Sequence, residues 1–431
     1  MRIRAAKTVH GRVGLPADKS ISHRAAILGA IAQGTTHIRN YSAAADCAST
    51  LDCLEKLGVE IHRENGVVTI FGRGQLGLEK PDRPVDCGNS GTTMRLLAGV
   101  LAGCPFETVL TGDESLRSRP MGRVIEPLSQ MGASLESDGG KPPLTIEGVS
   151  SLRSIIYEPE KPSAQVKSCI LLAGLCADGK TSVTETVSTR DHTERMLRYF
   201  GANLEIDTGA AGTAITIDGR SELIGRDIRV PGDISAAAFF LAAAVGLPGS
   251  DLKFPSVGVN PTRSAIIEII RQCGADLSIS NLSEVSGEPV ADLSILSGEI
   301  PEDAGIVIDG PLAAQLIDEL PIVAVLGTRL PGGVVVREAA ELRVKESDRI
   351  AAIITGLRQM GADAEEFDDG FRVGPSQLIG ARVDSRGDHR IAMALAVAGL
   401  FARGETEIDN AECVNISFPG FFETLESVAV R

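Results

Sequence analysis

One pattern recurs about six times along this chain: an apolar helix rich in Gly or Ala, a short strand, a second helix, then a Gly and another strand. The second helices make it visible. They end as LEKLGVEI (54–61), LSQMGASL (128–135), LRYFGANL (197–204), IRQCGADL (270–277) and LRQMGADA (357–364), at a period of roughly 70 to 85 residues. The first helices are apolar runs closed by Gly: SHRAAILGAIAQG (22–34), GTTMRLLAGVLAGC (91–104), VKSCILLAGLCADG (166–179), SAAAFFLAAAVG (235–246), DELPIVAVLG (318–327) and HRIAMALAVAGLFARG (389–404). A helix apolar nearly all round must be buried, whereas the second helices carry one apolar face, as in Ile350, Ile353, Ile354, Leu357 and Met360, and cover a sheet. The pattern predicts an α/β fold of six repeated units, each with parallel helices and a mixed sheet.

The last unit stops at FPGFFETLESVAVR (418–431) without its trailing strands, while the chain begins with strands, RIRAAKTVHGRVGLP (2–16), that follow no helix. The N-terminal strands are therefore expected to complete the sixth unit. The chain then passes into another lobe near residues 17–19 and returns at VPGDIS (230–235), where Pro231 and Gly232 break regular structure. Two lobes of three units follow: a discontinuous one of residues 1–17 and 232–431, and a central one of residues 18–231. A double crossover of this kind suits a cleft that closes by hinge motion.

With 431 residues, 43% of them hydrophobic, the chain can bury a sizeable core. Its formal net charge of −15 argues against bulk binding to nucleic acid or to an anionic membrane. An anionic ligand must be held by a local basic cluster. The eight cysteines contain no C-x-x-C pair, which fits reduced thiols. No metal site is evident, the first residues lack a secretory signal, and the longest apolar run, 234–247, is too short to span a bilayer. These features predict a cytoplasmic protein.

Several short motifs put cations at helix starts. DKSISHR (18–24) places Lys19, Ser20 and Arg24 at the head of a buried helix, where free N–H groups and the helix dipole favour an anion. A capped helix with solvated charges has the same composition. GNSGTTMR (88–95) repeats the pattern, with Gly91 permitting close approach and Arg95 one turn into the helix. SLRSRPMGR (115–123) sets Arg117, Arg119 and Arg123 in a loop, as an anion site or as a solvated basic stretch. In PSAQVKS (162–168), Ser163, Gln165 and Lys167 are caps or ligands for a hydroxylated molecule, and in TRDHTER (189–195) Asp191 or Thr193 is expected to cap a helix. The second half of the chain differs. LIDELP (316–321) carries Asp318, RVKESDR (343–349) carries Lys345, Glu346, Asp348 and Arg349, and RGDHR (386–390) adds Asp388, His389 and Arg390. Carboxylates near several cations work as acid and base, or simply as surface salt bridges. Cationic helix starts in both lobes facing one cleft suggest two anionic substrates.

In this order the motifs, with SFPGF (417–421), resemble the 3-phosphoshikimate 1-carboxyvinyltransferase (EPSP synthase) family from about Lys7 to Thr424. The resemblance implies a two-lobed, inverse α/β barrel-like fold and transfer of the enolpyruvyl group of phosphoenolpyruvate to the 5-hydroxyl of 3-phosphoshikimate, through a tetrahedral adduct and without a cofactor. It implies that Lys19 contacts both substrates, that Ser20, Arg24, Ser163, Ala164, Gln165, Asp318 and Lys345 contact 3-phosphoshikimate, and that Gly91, Arg95, Arg119, Gln165, Arg349 and Arg390 contact phosphoenolpyruvate. Asp318 matches the base at the attacking hydroxyl and Glu346 the acid that protonates the methylene carbon. A monomer and competition by glyphosate are further implications.

Two departures stand out. Position 416 is Ile where some members have Lys, and position 164 is Ala where some have Ser. Gly91 is present where a glyphosate-tolerant subgroup has Ala. The rival readings are the sister transferase acting on UDP-N-acetylglucosamine, which carries a reactive Cys where this chain has the Arg-rich 115–123 stretch, and a non-catalytic anion-binding relative. The RNA 3'-phosphate cyclase family shares a related repeat but is set apart by the acidic charge and the missing nucleotide signature.

Overall fold

The computed structural model describes residues 1–210 and 212–431. The chain divides into two compact lobes, one of residues 17–230 with 284–288, the other of residues 1–16, 231–283 and 289–431. Each is an α/β assembly of three repeats, and among the described residues the sheets are open, none closing into a barrel.

The first helix of every repeat is interior. All thirteen residues of Ile234–Gly246 and of His389–Phe401 are buried, as is every residue of Leu320–Gly327. In the central lobe Lys19–Ile31, Gly91–Ala102 and Ala164–Gly174 expose only parts of their first turns. Small residues let such helices approach closely. A Cβ on Gly99 would lie 2.2 Å from the carbonyl oxygen of Cys169, so the Gly91–Ala102 and Ala164–Gly174 helices meet backbone to backbone there. The second helices are one-sided: Ala265–Gln272 buries Ile266, Ile267, Ile269 and Ile270 and exposes Glu268, Arg271 and Gln272.

Five of the seven sheets formed by the described residues share one topology. A leading strand runs parallel to the strand after the first helix, which then pairs antiparallel with the closing hairpin. Val85–Asp86 leads Glu107–Thr111, Ile156–Tyr157 leads Lys180–Glu185, and Gly305–Ile308 leads Gly333–Val336. The first repeat of the central lobe takes its leading strand from the far end of that lobe, Asp227–Arg229, with Ile228 opposite Ile38. The discontinuous lobe closes in the same way. Arg2–Arg4 pairs antiparallel with Glu405–Asp409 and so completes the sixth repeat, but Thr8–Arg12 leads Asp251–Gly258 of the fourth. The expectation that both N-terminal strands finish the sixth repeat is corrected for the second of them. Phe239, Phe240, Phe418, Phe421 and Phe422, in edge-to-face and tilted contacts, pack the end of the chain against the fourth repeat's helix.

The hairpin of Asp276–Val285 and Glu288–Leu296 turns through Ser286 and Gly287, both at positive φ, and its tip belongs to the central lobe. There Glu288 meets His192 at 2.7 Å with both side chains almost fully buried, and Arg229 N donates to Ser286 Oγ. No helix among the described residues is long and apolar enough to cross a membrane.

Candidate active site

In the central lobe, Asp18 caps the Lys19–Ile31 helix by accepting from the Ile21 amide at 3.0 Å, which sets Lys19, Ser20 and Arg24 on its opening turns. Lys19 donates to Asp46 at 3.1 Å. Arg24 is buried and donates through Nε to Thr193 Oγ1 at 2.6 Å, through Nη1 to the Ser20 carbonyl at 2.9 Å and through Nη2 to Ser168 Oγ at 3.0 Å. Burial pushes its guanidinium down to about 10, against the opposing pull of Glu194 and Asp18, so it stays charged at neutral pH. His23, beside it, is driven down to about 3 by burial and by Lys19 and Arg24, and remains neutral. Its Nδ1 lies 2.6 Å from Thr50 Oγ1.

Ser90 caps the next buried helix, and the helix's first residue, Gly91, lies between two guanidinium groups. A Cβ there would stand 3.2 Å from both Arg95 Nη1 and Arg119 Nη1. Arg95 donates to Gln165 Oε1, Gln165 Nε2 to Thr92 at 2.9 Å, and Arg119 to Asn89 Oδ1 at 2.9 Å. Ser163 caps the third helix at 3.4 Å to Val166 N, with Ala164 and Gln165 in its first turn. Hydrogen bonds thus run from Ser20 and Arg24 to the Ala164–Gly174 helix, and from Gln165 to Arg95 against Gly91 and Arg119.

Three sequence expectations change here. Lys167 is neither cap nor ligand: it is 1% exposed and ion-paired with Glu185 at 2.8 Å and Glu194 at 2.6 Å. Burial works against its charge, yet Glu194 and Glu185 hold its pKa above the ordinary value. With two carboxylates to one ammonium, burial in turn holds Glu194 above its own ordinary value. Thr193 does not cap its helix; its hydroxyl is turned to Arg24. The 115–123 stretch is not all loop, since Glu114–Ser118 is a short helix that leaves Arg117 exposed and Arg119 buried just beyond its end.

In the discontinuous lobe the order is set by Arg349, which is 1% exposed at the head of the Arg349–Gln359 helix capped by Asp348. It donates through Nε to Asp388 Oδ2 at 2.8 Å and through Nη2 to Glu346 Oε2 at 2.6 Å, and its Nη1 lies 3.4 Å from Asp318 Oδ1. Burial opposes the charge, but Asp388, Glu346 and Asp318 overcome it and raise the guanidinium's pKa further. Arg390 donates to the Asp318 carbonyl at 2.9 Å and lies 3.5 Å from its carboxylate. Asp318, Glu346, Arg349 and Arg390 therefore form one cluster. Lys345 turns instead to Glu341 at 2.9 Å. Ile416 packs half-buried against the core at the end of a 3-10 turn.

Sequence reasoning missed Asp46, Ser168 and Thr193 as holders of the cations, and Glu319, buried at the head of the Leu320–Gly327 helix and bonded to Ser235. A carboxylate at the start of an otherwise apolar helix was the available signal for Glu319.

A family model described as EPSP synthase (3-phosphoshikimate 1-carboxyvinyltransferase) matches residues 3–425. The chain belongs to this family. It is 48% identical over 432 residues to the 3-phosphoshikimate 1-carboxyvinyltransferase of Brevibacillus brevis, covering all of both chains. It is 51% identical over 435 residues to that of Pelotomaculum thermopropionicum, covering 100% of this chain and 99% of the other. A solved EPSP synthase from Acinetobacter baumannii has the same fold, at a TM-score of 0.84 and 42% identity over 99% of this chain and 97% of that one. The α/β repeat read from the sequence is the fold of this EPSP synthase family. All eight cysteines are buried, and burial pushes the Cys104 thiol up to about 12, an unreactive setting.

Proposed function

We propose that the chain transfers the enolpyruvyl group of phosphoenolpyruvate to the 5-hydroxyl of 3-phosphoshikimate, releasing phosphate, with Asp318 as base and Glu346 as acid. Beyond family membership, the reading is carried by one observation: both carboxylates are held by the same buried guanidinium, Arg349. Two multiply charged anions repel each other, so cations must neutralise them before attack, and bidentate Arg suits both phosphate and carboxylate. Lys19, Ser20, Arg24, Ser163, Ala164, Gln165 and Lys345 take 3-phosphoshikimate, while Lys19, Gly91, Arg95, Arg119, Gln165, Arg349 and Arg390 take phosphoenolpyruvate. Holding both substrates in register removes up to roughly 7 to 11 kcal/mol of entropic barrier.

The proton path follows from the carboxylates. Glu346 gives a proton to the methylene carbon, the 5-hydroxyl attacks the resulting cationic centre, and Asp318 takes the hydroxyl proton. Glu346, left as a carboxylate, takes a proton back from the new methyl group, the C–O bond to phosphate breaks as the double bond is restored, and Asp318 passes its proton to the departing phosphate. Burial of all eight cysteines, Cys104 among them, supports this acceptor over that of the sister transferase.

The test is phosphate release from phosphoenolpyruvate by the purified chain, with 3-phosphoshikimate and UDP-N-acetylglucosamine as separate acceptors. Release with 3-phosphoshikimate alone is expected; release with only the nucleotide sugar, or with neither, overturns the reading. Glyphosate is expected to compete with phosphoenolpyruvate, so turnover indifferent to high glyphosate contradicts that part. A monomer is expected in light scattering, and the setting of the reaction is the cytoplasm.

A further inference from the structure

Arg24 is a buried guanidinium whose aim is decided by two hydroxyls that no substrate assignment includes. Thr193 and Ser168 are 1% and 0% exposed. Thr193 Oγ1 receives Arg24 Nε at 2.6 Å, and Ser168 Oγ receives Nη2 at 3.0 Å. The two hydroxyls are 2.6 Å apart, and Ser168 Oγ donates to the Ala164 carbonyl at 2.6 Å. The protons then have one consistent arrangement. Ser168 spends its hydrogen on Ala164, so Thr193 donates to Ser168, and each oxygen accepts one N–H of the guanidinium. With the Ser20 carbonyl on Nη1, three of the five guanidinium N–H groups are held by named partners and one remains on each terminal nitrogen.

We propose that Thr193 is the positioning residue for Arg24, fixing the guanidinium plane so that its two remaining N–H groups meet the phosphorylated acceptor. The inference rests on the acceptor assigned above. Thr193 heads the His192–Phe200 helix and is fixed on both sides, His192 by Glu288 and Glu194 by Lys167. Its hydroxyl is therefore a rigid mount. A guanidinium without it can rotate about its last bonds and lose the fork geometry that a phosphate needs. A capping or packing role requires the side chain's shape or its local backbone bond. A positioning role requires the oxygen.

The experiment compares the purified wild-type chain, Thr193→Val and Thr193→Ser in initial-rate phosphate release. Thr193→Val, which keeps the shape and loses the oxygen, is expected to raise KM for 3-phosphoshikimate about tenfold or more, with kcat and KM for phosphoenolpyruvate within about threefold. Thr193→Ser is expected to restore KM to within about threefold. In an Arg24→Gln background, Thr193→Val should add less than about twofold, because there is no guanidinium left to aim. An unchanged KM in Thr193→Val, a serine variant as impaired as the valine one, or full additivity with Arg24→Gln overturns the proposal while leaving the acceptor assignment standing. A wild type inactive with 3-phosphoshikimate overturns the acceptor assignment instead. If Thr193→Val does not fold, Ser168→Ala removes the second hydroxyl on the same guanidinium and must show the same selective rise in KM, its absence counting against the proposal.

Discussion

The two lobes hold their site arginines by different means, although Lys19 of the central lobe is paired with Asp46 much as Lys345 of the other is with Glu341. In the central lobe Arg24, Arg95 and Arg119 donate to hydroxyls, side-chain amide oxygens and a backbone carbonyl. In the discontinuous lobe Arg349 and Arg390 lie among Asp388, Glu346, Asp318 and Glu319, and Lys345 is paired with Glu341. A neutral acceptor orients a guanidinium and leaves its positive charge for a ligand. A carboxylate also cancels that charge, and what it leaves is a carboxylate held in place, able to move protons. The first arrangement suits gripping an anion, the second suits acid and base work.

The sharpest test removes the two carboxylates proposed to act as base and acid and keeps their shape. Asp318→Asn and Glu346→Gln should each lower kcat by about 100-fold to 10,000-fold while KM for either substrate moves far less. A pure KM effect at both positions would erase the distinction between the lobes. The next test concerns a buried central-lobe cation that two carboxylates hold. Lys167 is a central-lobe cation held by carboxylates, with no part assigned to it in binding. Lys167→Met strands Glu185 and Glu194 in the interior and should cost about 3–5 kcal/mol of stability in urea unfolding. Adding Glu185→Gln and Glu194→Gln should return much of it. A Lys167→Met variant as stable as wild type would show that this buried triad is not bound as an ion pair.

The repeat itself was legible because burial forces periodicity: six all-apolar runs and five one-faced helices can be counted by eye, and every one of those runs forms a buried helix in the fold. The sheet closures were not. Nothing local in Thr8–Arg12 says that its partner is Asp251–Gly258, because register in a parallel pair is set by tertiary packing. Motif residues at helix starts were legible as cations, and their holders were not. Asp46 lies on a helix in the same repeat as Lys19, but Thr193 reaches Arg24 across 169 positions of sequence. A hydroxyl in a helix's first turn reads as a cap unless the fold shows where it turns. The hairpin tip at 284–288 was invisible for the same reason, its Glu288 being an ordinary acid until His192 appears beside it.

A third test uses acid. His23 is buried and neutral between the central lobe's cations, with its pKa lowered to about 3 from an unfolded value near 6.5. Between those values the unfolded chain binds a proton that the folded chain does not, so stability rises with pH there and falls as pH drops toward 3. The slope from this one group is at most about 1.4 kcal/mol per pH unit. His23→Gln should therefore narrow the stability difference between pH 6.5 and pH 4.5 by about 2–3 kcal/mol in urea titrations. An unaltered difference would mean that the central lobe's neutrality is not maintained at His23.

The smallest expected effect probes the gap between two guanidinium groups. Gly91→Ala places a methyl 3.2 Å from Arg95 Nη1 and Arg119 Nη1, closer than ordinary contact, so one or both arginines must yield by a few tenths of an ångström. They can yield, because flexible side chains rather than backbone form the obstruction. The fold should therefore survive with an unfolding midpoint close to wild type. What changes is the space and aim of two cations. KM for phosphoenolpyruvate should rise by a few-fold to about tenfold, with kcat little altered, and inhibition by the bulkier glyphosate should weaken by more than that rise. An equal loss for inhibitor and substrate would place the effect in the arginines' aim, whereas a loss confined to glyphosate would place it in the methyl group itself. A fall in kcat with both affinities intact would contradict the division of labour between the lobes.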